Sequence, residues 1–331
     1  MSSSDHKRPQ FDPEYQTERI GFQADEMQPC PKCGRENPPN RIKCLYCGGE
    51  LELRAPENAR LTLRHLEPWE NGWNVIVVGA TDALDVPAIA NLTTLEPEEV
   101  TAILDSGNSL PVARMETATE SEVLCQRLEA AGLTTKIVTD QMLDADALPS
   151  RLSGLAFDTE QITLRAFNTG AETTIHSSDL TLIVVGALIQ AKTDVVEKKR
   201  RRGKNSKLLD EVQTSSSEPI VDFYQRSDSR GFRINMTGFD FSCLGEEMGL
   251  YATENIKTVV KKLSSLCPTA RIVSDYDRVR NLLEPVWEVE SRKDSRGLQR
   301  AGFGKVEFGS TSSTSNLRQF TKYSRLQWHL L

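Results

Sequence analysis

The chain has 331 residues, with 47 Asp and Glu against 40 Lys and Arg and a formal net charge of -7. That balance excludes a protein that coats nucleic acid along its whole length, while leaving room for local basic patches. The length calls for two or three folded units, and a hydrophobic content of 38% for modest cores. The longest apolar run, "LTLIVVGALI", is about half of what a membrane-spanning helix needs, so no span is expected.

Residues 1–27 open on "MSSSDHKRPQ", with no apolar targeting core and no periodicity. They are expected to be disordered, and a cytoplasmic setting with reduced thiols is expected for the chain. Residues 28–54 hold four of the seven cysteines, Cys30, Cys33, Cys44 and Cys47, in the spacing C-x2-C-x10-C-x2-C. Each C-x2-C pair turns two sulfurs toward one ion, and Gly34 and Gly48 follow the second cysteine of each pair. Four thiolates close a tetrahedral shell and leave no position for water, so one structural Zn²⁺ is the expected cofactor. The competing reading, two disulfides, needs a secretory setting for which no signal is visible.

The stretch "CPKCGRENP…CLYCG" resembles the short zinc ribbons found at the termini of bacterial proteins. Through Asn37 it is also similar to the Ran-binding-protein type of finger, with Gln28 where that type carries tryptophan. The first resemblance implies a bacterial zinc-ribbon protein.

Residues 55–72 read as a linker with short alternating runs. From 73 to 145 the pattern becomes explicit. "GWNVIVVGA" suits a buried strand. Asp85 and Pro87 start one helix, Pro97 and two acids start another, and Gly107 stops it. "SLPVARMET" reads as a strand. Thr119 and Glu122 form a capping-box pattern before the next helix, which Gly132 ends, and "LTTKIVTD" reads as a strand. This βααβαβ order, with "EEVTAILDSGNSLPVARMETATESEVLCQRLEAAGLTTKIV", resembles the C-terminal domain of the bacterial ribosomal stalk protein. It also resembles the related adaptor that delivers N-degrons to the Clp protease. The resemblance implies the fold. The helices carry Glu98, Glu99, Glu120, Glu122 and Glu129 where the stalk protein is lysine-rich, and "GATDALD" offers Asp82 and Asp85 without the adaptor's asparagine.

Residues 150–288 read as a β-rich, barrel-like domain with C-terminal helices, loosely pleckstrin-homology-like in outline. A basic loop is expected at 197–217, where Lys198, Lys199, Arg200, Arg201, Arg202, Lys204 and Lys207 offer a nucleic-acid or anion contact. Residues 289–331 read as a basic, flexible tail. Its terminal segment repeats Leu317, Phe320, Tyr323 and Leu326 every third residue and adds Trp328, the pattern of a partner-docking helix or of a tail that covers its own domains.

The four histidines lie apart, and no phosphate-binding, dinucleotide-binding or zinc-protease motif occurs, so no catalytic activity and no small-molecule substrate are expected. The expected fold class is a multidomain α+β protein. Its expected function is a zinc-ribbon adaptor or scaffold for an unidentified protein partner. The alternative is a nucleic-acid-associated factor in transcription or translation, and a third reading is a degron-type adaptor.

Overall fold

The computed structural model describes residues 22, 26–52, 59–61, 63–200, 206–302 and 305–331, with the side chains of 196–200, 206–211, 296–302 and 305–309 left aside. The N-terminal residues expected to be disordered lie almost wholly outside this description. The described chain is mixed α/β and divides into two compact units at 62/63.

In the first unit, β1 (Gln28–Pro29) and β2 (Glu36–Asn37) pair antiparallel. Gly34 and Gly48 adopt φ of +72° and +68°, a left-handed turn that a side chain resists. Their amides return to the carbonyls of Cys30 and Cys44 at 2.8 and 3.0 Å. The buried apolar residues are few: Cys30, Cys44 and Leu51 cluster with Cys47 packed against them, and Ile42 and Ala59 are buried as well.

The second unit begins with a three-stranded antiparallel sheet. Its central strand, β3 (Trp73–Ala80), lies between β4 (Leu110–Met115) and β5 (Leu133–Thr139). Between them run α1 (Val86–Thr93), α2 (Pro97–Asp105) and α3 (Ala118–Ala130). Asp85 caps α1 by accepting from the Ala88 amide at 3.0 Å. The cap of α3 is Thr117, which accepts from the Glu120 amide at 3.2 Å, so the helix starts two residues before the expected Thr119. Gly132 turns at φ +96° beneath the Ala83 carbonyl, and a Cβ there would sit 2.4 Å from that oxygen. A short helix, α4 (Asp140–Leu143), closes this part.

A nine-stranded sheet follows. In chain order it comprises β6 (Ser150–Phe157), β7 (Gln161–Ala166), β8 (Glu172–His176), β9 (Leu180–Arg200), β10 (Ser206–Gln225) and β11 (Asp228–Asn235). After α5 (Ala252–Leu266) come β12 (Arg271–Val273), α6 (Tyr276–Leu283), β13 (Glu290–Gly302), β14 (Lys305–Ser315) and α7 (Leu317–His329). The lateral order is β13-β14-β9-β10-β11-β6-β7-β8, with β12 beside the inner part of β9. The sheet ends in β13 and β8 without closing, so the barrel-like expectation is corrected to an open sheet. Ile256, Val259 and Leu263 of α5 bury against Ile183, Val221 and Phe223. No helix among the described residues is long and apolar enough to cross a membrane.

Two further expectations are corrected. The segment 197–217 is strand on both described sides, since β9 runs to Arg200 and β10 starts at Ser206. The stretch from 289 onward, expected as a flexible tail, forms the β13–β14 hairpin and α7. The hairpin lies against the outer half of β9, from Lys305↔Arg200 to Ser315↔Gln190. Together these strands form a four-stranded arm, in whose outermost strands Val212–Ser217 and Ser291–Ser295 are exposed on both faces. Neither face is buried there, so the sequence lacks the period-two apolar alternation that identifies most strands.

Candidate functional site

The sulfurs of Cys30, Cys33, Cys44 and Cys47 all lie within 4.8 Å of one another. The Cys30–Cys47 and Cys33–Cys44 separations are 3.7 and 3.6 Å, and all seven cysteines are free thiols. Tetrahedral zinc with Zn–S bonds of about 2.3 Å requires sulfurs about 3.8 Å apart, so the four residues fit the ion. Disulfides do not bridge them. Bound here, zinc would supply folding free energy to a unit whose buried apolar residues are few.

The surroundings favour a thiolate at Cys44, whereas the Cys33 thiol is pushed up beside the other three sulfurs. The amides of Lys32 and Tyr46 donate to the sulfurs of Cys30 and Cys44, each at 3.4 Å. Burial pushes the Cys44 thiol up, but the amides of Tyr46 and Cys47 and the Asn37 side chain outweigh it and bring the thiol down to about 6. Asn37 is fully buried; its Nδ2 donates to Cys44 Sγ at 3.4 Å and its Oδ1 accepts from the Leu45 amide at 2.8 Å. It locks the second knuckle against the first, and its place in the C-x2-C-x3-N spacing was the signal for it. Gln28 is also buried and donates to the Pro38 carbonyl at 3.4 Å, so it fills its position as a structural residue. The outer surface of the second knuckle exposes Leu45 and Tyr46, with the Arg35 guanidinium 4.8 Å from the Tyr46 ring.

Of the basic residues, Lys198, Lys199 and Arg200 end β9 and Lys207 lies near the start of β10, while Arg201, Arg202 and Lys204 lie outside the described residues. The pairs Lys199↔Ser206 and Arg200↔Lys305 bring the ends of both hairpins to one end of the arm. Lys305 was not singled out from sequence, because its partner strand is a hundred residues away.

The terminal stripe packs within its own unit, as the reading of a tail that covers its own domains describes. Phe320, Tyr323 and Leu326 are fully buried, and Leu317 and Trp328 are half-buried. Tyr276 stacks edge-on against Phe320 at 5.0 Å. Every residue from Gln319 to Gln327 is buried, and polar partners meet several of the polar side chains among them. Arg233 reaches Thr321 at 3.0 Å, Tyr224 reaches Ser324 at 2.7 Å, and Arg325 holds the carbonyls of Leu143, Asp144 and Ala147. The helix thus serves its own unit as a central strut.

His176 caps the 3₁₀ turn Ser177–Asp179 and meets Ser178 Oγ at 2.7 Å on an exposed hairpin; His65, also exposed, lies 3.6 Å from Glu288. His65 lines a cavity with Leu66, Arg114 and Val286, and His176 also lies 3.6 Å from Glu160.

Neither a protein-family model, a curated protein nor a solved structure matches the chain. The stalk-protein, degron-adaptor and pleckstrin-homology likenesses therefore rest on the quoted sequence alone.

Proposed function

We propose that this chain is a cytoplasmic, non-enzymatic zinc-ribbon protein associated with nucleic acid, holding phosphates at the outer end of its four-stranded arm. The supporting observation is the register that pairs Arg200 with Lys305. Segments 197–207 and 296–305 carry ten Lys and Arg against one acid, Glu197, in a chain that is acidic as a whole. Two cation-rich segments whose described ends pair, in a protein that is acidic as a whole, bind a polyanion locally without coating it. The zinc holds the first unit in shape, and four thiolates leave no open position for metal catalysis.

The test is filter binding to duplex DNA and to RNA across a salt series, using the full chain and a Lys198→Gln, Lys199→Gln, Arg200→Gln variant. Each phosphate contact contributes a slope of about -0.9 in log affinity against log salt, so the triple variant loses roughly three such contacts. Weak binding with a flat salt response, unchanged in the variant, overturns the reading.

A protein-adaptor role is the second reading, supported by the exposed Leu45 and Tyr46 beside the metal centre. It predicts a partner whose recovery is lost on Leu45→Ser, Tyr46→Ser while zinc content stays the same.

A further inference from the structure

The arm carries two strand edges that match each other. Among the described residues, β10 before Ile220 is flanked by β9 alone, and β13 is flanked by β14 alone. The side chains of Val212–Ser217 and Ser291–Asp294 are exposed. A strand edge of this length is a template for a further strand. Bulges, which commonly blunt such edges, occur at Leu208/Asp210, Ser295/Gly297 and Arg300/Gly302, and the ladders inward of them are regular.

Strand direction limits what fits. Neighbours in the order β13-β14-β9-β10 are all antiparallel, so the two outer strands point in opposite directions. A second arm set alongside, with its basic end at the same side, brings its β10 antiparallel to β13 of the first. The alternation of the sheet then continues without a fault.

Charge selects the same pairing. β13 carries Arg292, Lys293, Arg296 and Arg300 against Glu290 and Asp294, whereas residues 206–218 of β10 carry Asp210, Glu211 and Glu218 against Lys207. The levels agree as well. Ser295 and Gly297, on either side of Arg296, stand level with Glu211 and Asp210 through the rungs Ser310–Val195 and Gly309–Val196. Joining like edges, β13 to β13 or β10 to β10, would bring together edges of the same net sign.

We infer that the partner of this edge is a second copy of the chain, added head to tail so that β13 of one copy pairs with β10 of the next. Such contacts are heterologous: each copy retains one open edge of each kind, and assembly continues until it closes into a ring or extends as a filament.

Sedimentation velocity of the nuclease-treated, full-length protein over a concentration series tests this. The wild type forms species above the monomer whose share rises with concentration. Lys293→Glu with Arg296→Glu raises the concentration needed by about tenfold or more, as does Asp210→Lys with Glu211→Lys. The variant carrying all four changes assembles again, a recovery that misfolding cannot produce. A wild type that stays monomeric at its highest soluble concentration overturns the inference. So does assembly insensitive to both pairs, or loss in each pair without recovery in the fourfold variant.

Discussion

Lys322 on α7 lies 2.9 Å from Asp140 at the start of α4, and Arg114 on β4 donates to the same carboxylate at 2.7 Å. All three side chains are about nine-tenths buried. Asp140 also accepts from the Gly72 amide and from Asn74, whose Oδ1 in turn accepts from the Trp287 indole at 2.7 Å. One carboxylate thus pairs with two buried cations and ties the small sheet to α7 and to the segment after α6.

Asp140→Asn should therefore be costly, because it leaves Lys322 and Arg114 buried without their counter-charge. A loss of about 3–5 kcal/mol is expected in denaturant unfolding at neutral pH. Burial pushes the Asp140 carboxyl up, but Lys322, Arg114 and Asn74 more than offset it and hold it below the ordinary range. A carboxylate depressed in the folded state binds fewer protons there than in the unfolded chain. Its contribution is full above the unfolded value of about 3.9 and is lost as pH falls through the folded one. The wild type should lose stability below about pH 4, and Asp140→Asn should lack that component of the decline; an unchanged acid limb counts against the assignment.

Gly186 on β9 is buried, and a Cβ there would lie 2.7 Å from Tyr276 Cδ1 and 2.8 Å from Phe320 Cε2. The Tyr276 ring is pinned by its hydroxyl's 2.9 Å bond to Gln319, so neither ring yields readily. Gly186→Ala is expected to destabilise by about 1–3 kcal/mol. Gly79→Ala, which meets only Thr134 at 3.6 Å, should stay within about 0.5 kcal/mol. Thermal or urea melts of the two variants side by side decide it.

At the metal centre, purified protein should contain one zinc per chain. Asn37→Ala removes a donor to Cys44 and the acceptor of the Leu45 amide. Zinc affinity should fall by about 10–100-fold in a chelator competition, with the stoichiometry at saturating zinc unchanged. An unchanged affinity would make Asn37 a packing residue only.

Phe320→Ala empties a fully buried position on α7 and should cost about 3–5 kcal/mol. Leu331→Ala, at an exposed position, should be near neutral and serves as the control.

What the sequence revealed follows how local each signal is. The cysteine spacing sufficed for the metal centre because both knuckles are local turns. Asp85 before Pro87 marked α1, since cap and proline act within one turn. The start of α3 was misplaced because "TATESE" offers two threonines, each three residues before a glutamate, and only tertiary context selects Thr117. The arm was illegible for another reason. "QTSSSE" and "GSTSSTS" have the composition of loops, and their strand structure comes from pairing with β9, which for the second lies more than a hundred residues away along the chain. The helical stripe of α7 was visible, whereas the burial of Lys322 and Arg325 depends on Asp140 and three carbonyls that no local pattern announces.

The strut α7 also orders events during synthesis. It follows every other described element in the chain, yet Trp287, Asp140, Tyr224 and Arg233 wait for it. A ribosome releases its product from the N-terminus onward, so the rest of the second unit emerges before the helix that fills its charged slot. Only when residues near 329 leave the exit tunnel can that slot close. Until then the nascent chain is exposed to chaperones and proteases, and an early stop codon anywhere before α7 should leave a product marked for destruction.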